Sequence, residues 1–293
     1  MKKYTIVGIG ELLFDVFPDR KALGGAPTNF AYHCQQLGHE AISVSAIGRD
    51  TLGEEIKAEL QARQLPAILQ ETDYPTGTVQ VTLSATGSPT YEISEGVAWD
   101  HIVFTDELRA LAQRTDAVCF GSLAQRHAAS RTAILSFLKA MPEGSLRIFD
   151  INLRLQYYTR ETIHTSLEHA DILKLNDEEV PIVARLLGLE GDIEAVCRQV
   201  LTDYSLHAVI LTRGADGCSI YHEKGSVFHP SACIEVADTV GAGDSFTAGF
   251  VSALLAGRSH LEAVALATRV AAFVCCHHGA MPTLPSEYRV VEA

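Results

Sequence analysis

Basic residues are scarce in this chain. Its 23 Lys and Arg stand against 36 Asp and Glu, a formal charge of −13 with the histidines neutral. A polyanion or an anionic membrane would meet repulsion, so neither nucleic acid nor a membrane is expected as a partner. Long apolar runs are missing too. The two longest, 245–257 and 263–276, fall short of the roughly 18 residues a bilayer span needs, and Arg269 interrupts the second. No Cys-x-x-Cys pair occurs among the seven cysteines, an odd count that argues against a disulfide framework and for a reducing compartment. The expected location is therefore cytoplasmic. Lysines at positions 2 and 3 precede a short apolar stretch, but Glu11 cuts it and no small-residue cleavage site follows, so 4–10 reads as a buried strand, not a signal peptide. No repeat and no Pro/Gly/Ser-rich linker divides the 293 residues, and 47% of them are hydrophobic, which implies one unit over 1–293 with a substantial core.

What the chain does contain is an alternation of short β-rich runs and amphipathic segments. Strands are expected at 4–9, 41–47, 117–120, 146–149, 172–175 and 208–212, and helices at 27–37, 52–63, 131–140 and 178–187. That order predicts a parallel sheet covered on both faces. One region departs from it: 78–83 (TVQVTL) alternates with period two, 87–89 turns the chain, and 90–94 (TYEIS) resumes the alternation, as in a hairpin with one solvated face. With an early strand at 12–17 this hairpin forms a small sheet standing off the main body as a lid, inserted from about 11–20 and 70–103. An exposed lid edge invites strand pairing between subunits, and a homodimer through the lid is expected.

The chemistry concentrates at residues 238–250, DTVGAGDSFTAGF. Gly241, Ala242 and Gly243 carry little or no side chain, so their N–H groups can lie open at a helix N-terminus, where the dipole favours an anion such as phosphate. Asp244 falls in the first turn, where the same dipole keeps it ionised at pH 7. A carboxylate beside bound phosphate suits one task, accepting the proton of an incoming hydroxyl during phosphoryl transfer. A plain glycine turn followed by an ordinary aspartate fits the stretch as well. Other nucleotide motifs fail: no GxxxxGK[ST] occurs, and Leu13 stands where a dinucleotide fingerprint starting at Gly8 needs its third glycine.

Two separated motifs carry a resemblance, Gly24-Gly25-Ala-Pro-Thr-Asn29-Phe-Ala31 with Gly38 and Gly48, and the 238–250 stretch. Residues 10–15, 121–123, 150–154, 176–179 and 212–217 extend it over nearly the whole chain. The sequence resembles the PfkB, or ribokinase-like, carbohydrate kinases, and among them fructokinases. The resemblance implies a ribokinase-like three-layer α/β/α fold with a central, mostly parallel sheet and a small β-sheet lid. It implies ATP-dependent transfer of a phosphoryl group to a sugar hydroxyl, with Asp244 as the base and 241–243 holding the transferring group. It also implies that Asp15, Gly25 and Asn29 bind the sugar, with Arg154 reaching substrate or phosphate unless it pairs with Asp150. Thr212, Gly214 and Gly217 would lie against ATP, with Lys174 facing the nucleotide. Asn176 and Glu179, spaced i, i+3, would hold Mg2+ through water, although Asn and Glu at that spacing also form a capping box. A K+ loop is implied around Asp238 and Gly279, where Cys275, Cys276, His277 and His278 depart from the family pattern. Those four consecutive residues do not suit zinc, since helical neighbours diverge by about 100°.

Charge bears on the acceptor. No Lys or Arg lies between Arg63 and Arg109, whereas Glu71, Asp73, Glu92, Glu95, Asp100, Asp106 and Glu107 contribute seven negative charges. An acceptor anion there would be unpaired unless Arg20, Lys21 or Arg154 reached it, so a neutral sugar is expected over ketodeoxygluconate or phosphofructose. Nucleosides find only Tyr91 and Trp99 as stacking surfaces. A non-catalytic sugar or nucleotide sensor is the alternative from another class, and the intact Asp244, glycine loop and Asn/Glu pair argue against it.

Overall fold

The computed structural model describes residues 2–83 and 89–291. The expected turn at 87–89 falls outside them at Gly87 and Ser88. The first part of the chain forms β1 (Thr5–Ile9), β2 (Leu13–Val16), β3 (Lys21–Gly24), α1 (Ala26–Gln36), β4 (Glu40–Gly48), α2 (Thr51–Ala62), β5 (Ala67–Thr72), β6 (Gly77–Leu83) and β7 (Pro89–Ile93). Next come α3 (Asp106–Ala112), β8 (Ala117–Phe120), α4 (Ala128–Ala140), β9 (Leu146–Asp150), α5 (Arg160–Glu168), β10 (Ile172–Asn176), α6 (Glu179–Leu187) and α7 (Ile193–Asp203). The last part forms β11 (Ala208–Thr212), β12 (Cys218–His222), β13 (Gly225–His229), α8 (Ala242–Leu255) and α9 (His260–Cys275). Among the described residues, no helix is long and apolar enough to cross a membrane.

The main sheet has nine strands in the order β13-β12-β11-β10-β9-β8-β1-β4-β5. From β11 to β5 every neighbouring pair is parallel, and β12 and β13 add an antiparallel edge. Side chains alternate across a strand, and the two faces have separate cores. Ile6 of β1 packs with α1, α2, α8 and α9, whereas Val7 and Ile9 pack with α3 to α7. The three-layer arrangement follows, with the parallel strands buried on both sides.

Close approach of the helices rests on two glycines. A Cβ on Gly249 of α8 would stand 2.9 Å from the Cα of Ala267 in α9. A Cβ on Gly8 of β1 would stand 1.9 Å from the Pro27 carbonyl oxygen, so α1 can sit on β1 only where that side chain is missing.

The second sheet has four strands, β3-β2-β6-β7, with β2 and β6 parallel and the outer pairs antiparallel. Its limits differ from the expected 11–20 and 70–103. Residues 70–72 belong to β5 on the main sheet, and Ala98–His101 form a 3-10 turn whose Ala98 and Trp99 lie in the main core. Strand β5 is half-buried except at the exposed Glu71 and carries little apolar contrast, and β3 is four residues of mixed character, so neither had a clear periodic signal. Arg126 ties this sheet to the body: it donates to both carboxylate oxygens of Asp100 at 2.7 and 2.8 Å and to the Ser94 carbonyl at 2.6 Å. Its guanidinium also stacks over the Trp99 and Tyr157 rings.

Gly8→Ala should destabilise the fold by about 1–3 kcal/mol through forced overpacking, read as a lowered thermal midpoint. An unchanged midpoint would show that α1 can retreat from β1 freely.

Candidate active site

Helix α8 begins on Gly241, whose φ of +78° is left-handed and whose Cβ would stand 2.7 Å from the Cα of Ala280. Only glycine meets both conditions. Gly243 and Asp244 follow in the first turn. Ala242 departs from the expected open loop, because its N–H donates to the Thr239 carbonyl at 3.2 Å and closes a turn. Under Gly243 sits the Lys174 ammonium, 2.8 Å from where a Cβ would be. The helix start is thus lined with main-chain donors and backed by a buried cation.

Asp244 receives a hydrogen bond from Asn29 Nδ2 at 2.8 Å. Behind it, Lys174 donates to Asp150 Oδ1 at 3.0 Å and the Thr247 hydroxyl to Asp150 Oδ2 at 2.9 Å. Burial raises the Asp244 pKa to about 6, with the Asp150 charge adding to the rise, while the Asn29 hydrogen bond, Lys174 and Arg154 oppose it. Desolvation therefore outweighs the helix terminus, yet the carboxylate is still mostly ionised at pH 7. Burial also works against the Lys174 charge, but Asp150, Glu179 and Asp244 outweigh it and hold that pKa above its ordinary value. A narrow pocket beside these groups is lined by Ala26, Pro27 and Phe30 of α1, Cys119 and Phe120 of β8 with Gly121 after it, and Asp150 and Asp244.

The residues expected at the sugar come to the same place. Gly25 is the N-cap of α1, with φ +118° and a Cβ position 2.3 Å from the Glu11 carbonyl oxygen. Asn29 lies one turn further on. Asp15, on β2, has its pKa raised to about 6 by burial, with Arg154 pulling the other way. Arg154 stands on an exposed loop between Asn152 and Leu155, which have φ of +43° and +49°, a backbone that non-glycine residues adopt at a cost. Asp150, its alternative partner, pairs with Lys174.

Glu11 was not singled out from the sequence as a site residue. It is 2% exposed, and burial raises its pKa to about 7, with Asp244 adding to the rise and Arg154 and main-chain hydrogen bonds opposing it. The available signal was the break it makes in the apolar run leaving β1. Asp150 and Thr247 were also missed, although Asp150 ends a parallel strand on the edge where such folds bind ligands.

Asn176 and Glu179 exchange main-chain hydrogen bonds: Asn176 N–H donates to Glu179 Oε2 at 2.8 Å, and Glu179 N–H to Asn176 Oδ1 at 2.9 Å. Glu179 Oε1 accepts from the Leu153 N–H at 2.8 Å, which fixes the loop that carries Arg154. Each carboxylate oxygen thus accepts one main-chain hydrogen bond, which holds Glu179 in place and leaves lone pairs that a metal or its water could use. Asn176 lies in register with Thr212 of β11. Gly214 and Gly217 shape the hairpin from β11 to β12, and a Cβ on Gly217, at φ +90°, would stand 2.4 Å from the His229 carbonyl oxygen. Asp238 receives the Val240 and Gly279 N–H groups, each at 3.0 Å, and so joins the loop before α8 to the loop after α9. These two groups lie apart from the Asn29–Asp244 contact in the bonding network.

The lid charges distribute differently from the expectation. Glu71 pairs with Lys57 and Asp73 with Arg49 on the main sheet's edge, and Asp100 is buried against Arg126. Asp106 and Glu107 lie in the first turn of α3. Trp99 is fully buried in the core and offers no stacking surface.

The profile of the pfkB family carbohydrate kinases matches residues 10–287. An ATP-dependent 6-phosphofructokinase of Thermoanaerobacterium thermosaccharolyticum is 29% identical over 302 residues, covering 97% of this chain and 92% of that protein. Fructokinase-1 of Zea mays is 27% identical over 315 residues, covering 98% and 96%. The solved structure of a sugar kinase from Pyrococcus horikoshii in complex with ATP superposes with a TM-score of 0.83 at 28% identity, covering 94% of each chain.

Asp244→Asn keeps an acceptor for Asn29 and removes a desolvated charge. The folded carboxyl binds its proton more tightly than the unfolded one, so the wild type loses stability as pH rises from about 4 through about 6. The variant should therefore be more stable by about 3 kcal/mol at pH 8, the gain vanishing near pH 4. Thermal midpoints across that range check it, and an equal or lower midpoint at pH 8 would contradict the assigned desolvation.

Proposed function

The chain belongs to the pfkB family of carbohydrate kinases, and on that premise we propose that it transfers the γ-phosphoryl group of ATP to the primary hydroxyl of a neutral sugar, fructose giving fructose 6-phosphate. The observation that carries this reading is the Asn29–Asp244 contact at the start of α8. An ionised carboxylate of raised pKa stands there beside open main-chain donors backed by Lys174.

Each residue has a task in that reaction. The N–H groups at the start of α8, with Lys174 beneath them, bind and orient the phosphoryl group, whose charge grows no more tolerable without them. Asp244 accepts the proton of the attacking hydroxyl, and Asn29 holds it in place. Gly25, Asn29 and Asp15 bind the sugar, and Arg154 offsets the carboxylates around it. Thr212, Gly214 and Gly217 bind the nucleotide. Mg2+ would be held through water by Asn176 and Glu179 and would neutralise phosphate charge. K+ would be held by the joined loops at Asp238 and Gly279. Closure of the small sheet over the sugar would exclude water as a competing nucleophile. A cytoplasmic location goes with ATP as donor, and the edges of β3 and β7 are the surfaces for a homodimer.

Neutrality of the acceptor rests on the site itself. Among the described residues, Arg154 is the one cation that bears on Glu11 and Asp15, and Asp244 has only Lys174 besides it, while Arg20 lies beside Asp19 and Lys21 pairs with Glu55. The similarity to a 6-phosphofructokinase favours fructose 6-phosphate as a second reading, with Arg154 as the group to meet its phosphate.

ATP consumption over a panel of fructose, fructose 6-phosphate, ribose, ketodeoxygluconate and adenosine should give the highest kcat/KM with fructose. Absence of turnover with every acceptor on the panel would favour a sensor. Asp244→Asn should lower kcat by about 10²–10⁴-fold while ATP binding is kept, and wild-type activity should fall as pH drops through about 6. Normal turnover by that variant would remove Asp244 from the chemistry.

A further inference from the structure

Two buried oxygens near Asp244 have no hydrogen-bond partner among the described residues, Glu11 Oε2 and Asn29 Oδ1. Glu11 is 2% and Asn29 4% exposed. Both side chains are otherwise engaged. Asn29 gives an amide hydrogen to Asp244 Oδ2. The Glu11 carboxyl faces its own N–H and that of Ala26, the first residue of α1. Helix α1 has no side-chain cap of its own and no acid in its first turn, so the Glu11 carboxyl stands in as an acceptor at its N-terminus. This accounts for one carboxyl oxygen and leaves the other. The charged groups bearing on Glu11 are Asp244 and Arg154.

We propose that Glu11 is a substrate-binding residue: its Oε2, together with Asn29 Oδ1, takes hydroxyl hydrogens of the sugar acceptor beside Asp244. The inference rests on the sugar-kinase reading and narrows it. Buried oxygens lacking donors are relieved by a molecule that brings hydrogens, a water or the hydroxyls of a ligand that displaces it. A polyol brings several; a carboxylate or phosphate brings more acceptors and a charge of the wrong sign. The part of the acceptor next to its reacting hydroxyl is therefore a run of neutral hydroxyls.

Glu11→Gln tests the role because an amide retains one oxygen for the Ala26 N–H and presents a donor where Oε2 stood. Sugar affinity is read by calorimetry with fructose and ribose, and KM and kcat by ATP consumption. The expected result is a thermal midpoint no lower than that of the wild type, a rise of at least tenfold in sugar KM and Kd, and an ATP KM within twofold. A helix-capping role alone would leave sugar KM unchanged in Glu11→Gln and lower the midpoint in Glu11→Ala, and that outcome overturns the proposal while the kinase reading stands. If the wild type binds sugar without phosphorylating it, and Glu11→Gln weakens that binding, the kinase reading fails and the role of Glu11 holds. A wild type that neither binds nor phosphorylates any neutral sugar overturns both.

Discussion

A carboxylate withdrawn from water and placed beside a second carboxylate is the constraint around which this site is organised. Asp244 would not stay ionised beside Asp150 in a dry setting without nearby compensation. Compensation comes from separate parts of the chain: Asn29 on α1 binds Asp244, Lys174 on β10 binds Asp150, and Thr247, one turn beyond Asp244, donates to Asp150 as well. None of these partners is close to another in sequence except Asp244 and Thr247. The fold is what makes them neighbours, since α1 and α8 share one face of the sheet while β9 and β10 end beneath them.

The same dependence runs outward. Asn29 reaches Asp244 only if α1 sits hard on β1, which requires the missing side chains of Gly8 and Gly25. Lys174 can lie under the α8 turn only because Gly243 leaves room. On the far side, Arg126 bonds Asp100 and the Ser94 carbonyl and stacks on Trp99, which anchors the end of β7 to the main core. A buried bidentate pair of this kind adds little net stability against an apolar replacement, but losing one partner strands a charge. It therefore acts on the seating of the small sheet more than on the total stability of the fold.

Much of this was legible in the sequence. Strands 117–120 and 208–212 stand where the β-branched runs placed them, and 4–9, 41–47, 146–149 and 172–175 shift by a residue or two at their ends. Strong apolar periodicity explains that success, because a strand buried on both faces has nothing polar to blur it. Strands β3 and β5 were not legible, being short or half-buried and mixed in composition. At the site, the small-residue run at 241–243 marked a helix start that only glycine could form, and Asn29 was marked by its motif. Glu11 had the same prominence in the linear text, as an acid ending an apolar run, but nothing there says that such an acid is buried. The charges between Arg63 and Arg109 are the converse case. Counted along the chain they looked like the walls of a binding site, but in three dimensions Lys57, Arg49 and Arg126 take up Glu71, Asp73 and Asp100.

The preference for a neutral acceptor survives that relocation because the site divides its charge. At one end, the N–H groups at the start of α8, backed by the Lys174–Asp150 pair, form a face suited to phosphate. At the other, Glu11, Asp15 and Asp244 form an acidic wall that Arg154 offsets only in part. On the proposed reading, the arriving phosphoryl group brings negative charge close to Asp244 and raises its proton affinity further, so the base strengthens as its partner for transfer binds. Asp15 and Glu11, already raised by burial, respond to any added negative charge by taking up protons, and as neutral carboxyls they can donate to sugar oxygens as well as accept from hydroxyls. An anionic acceptor would work against this arrangement, since its charge would compete with the phosphoryl group for the same few cations, whereas a neutral polyol leaves Lys174 and the α8 terminus wholly to the nucleotide.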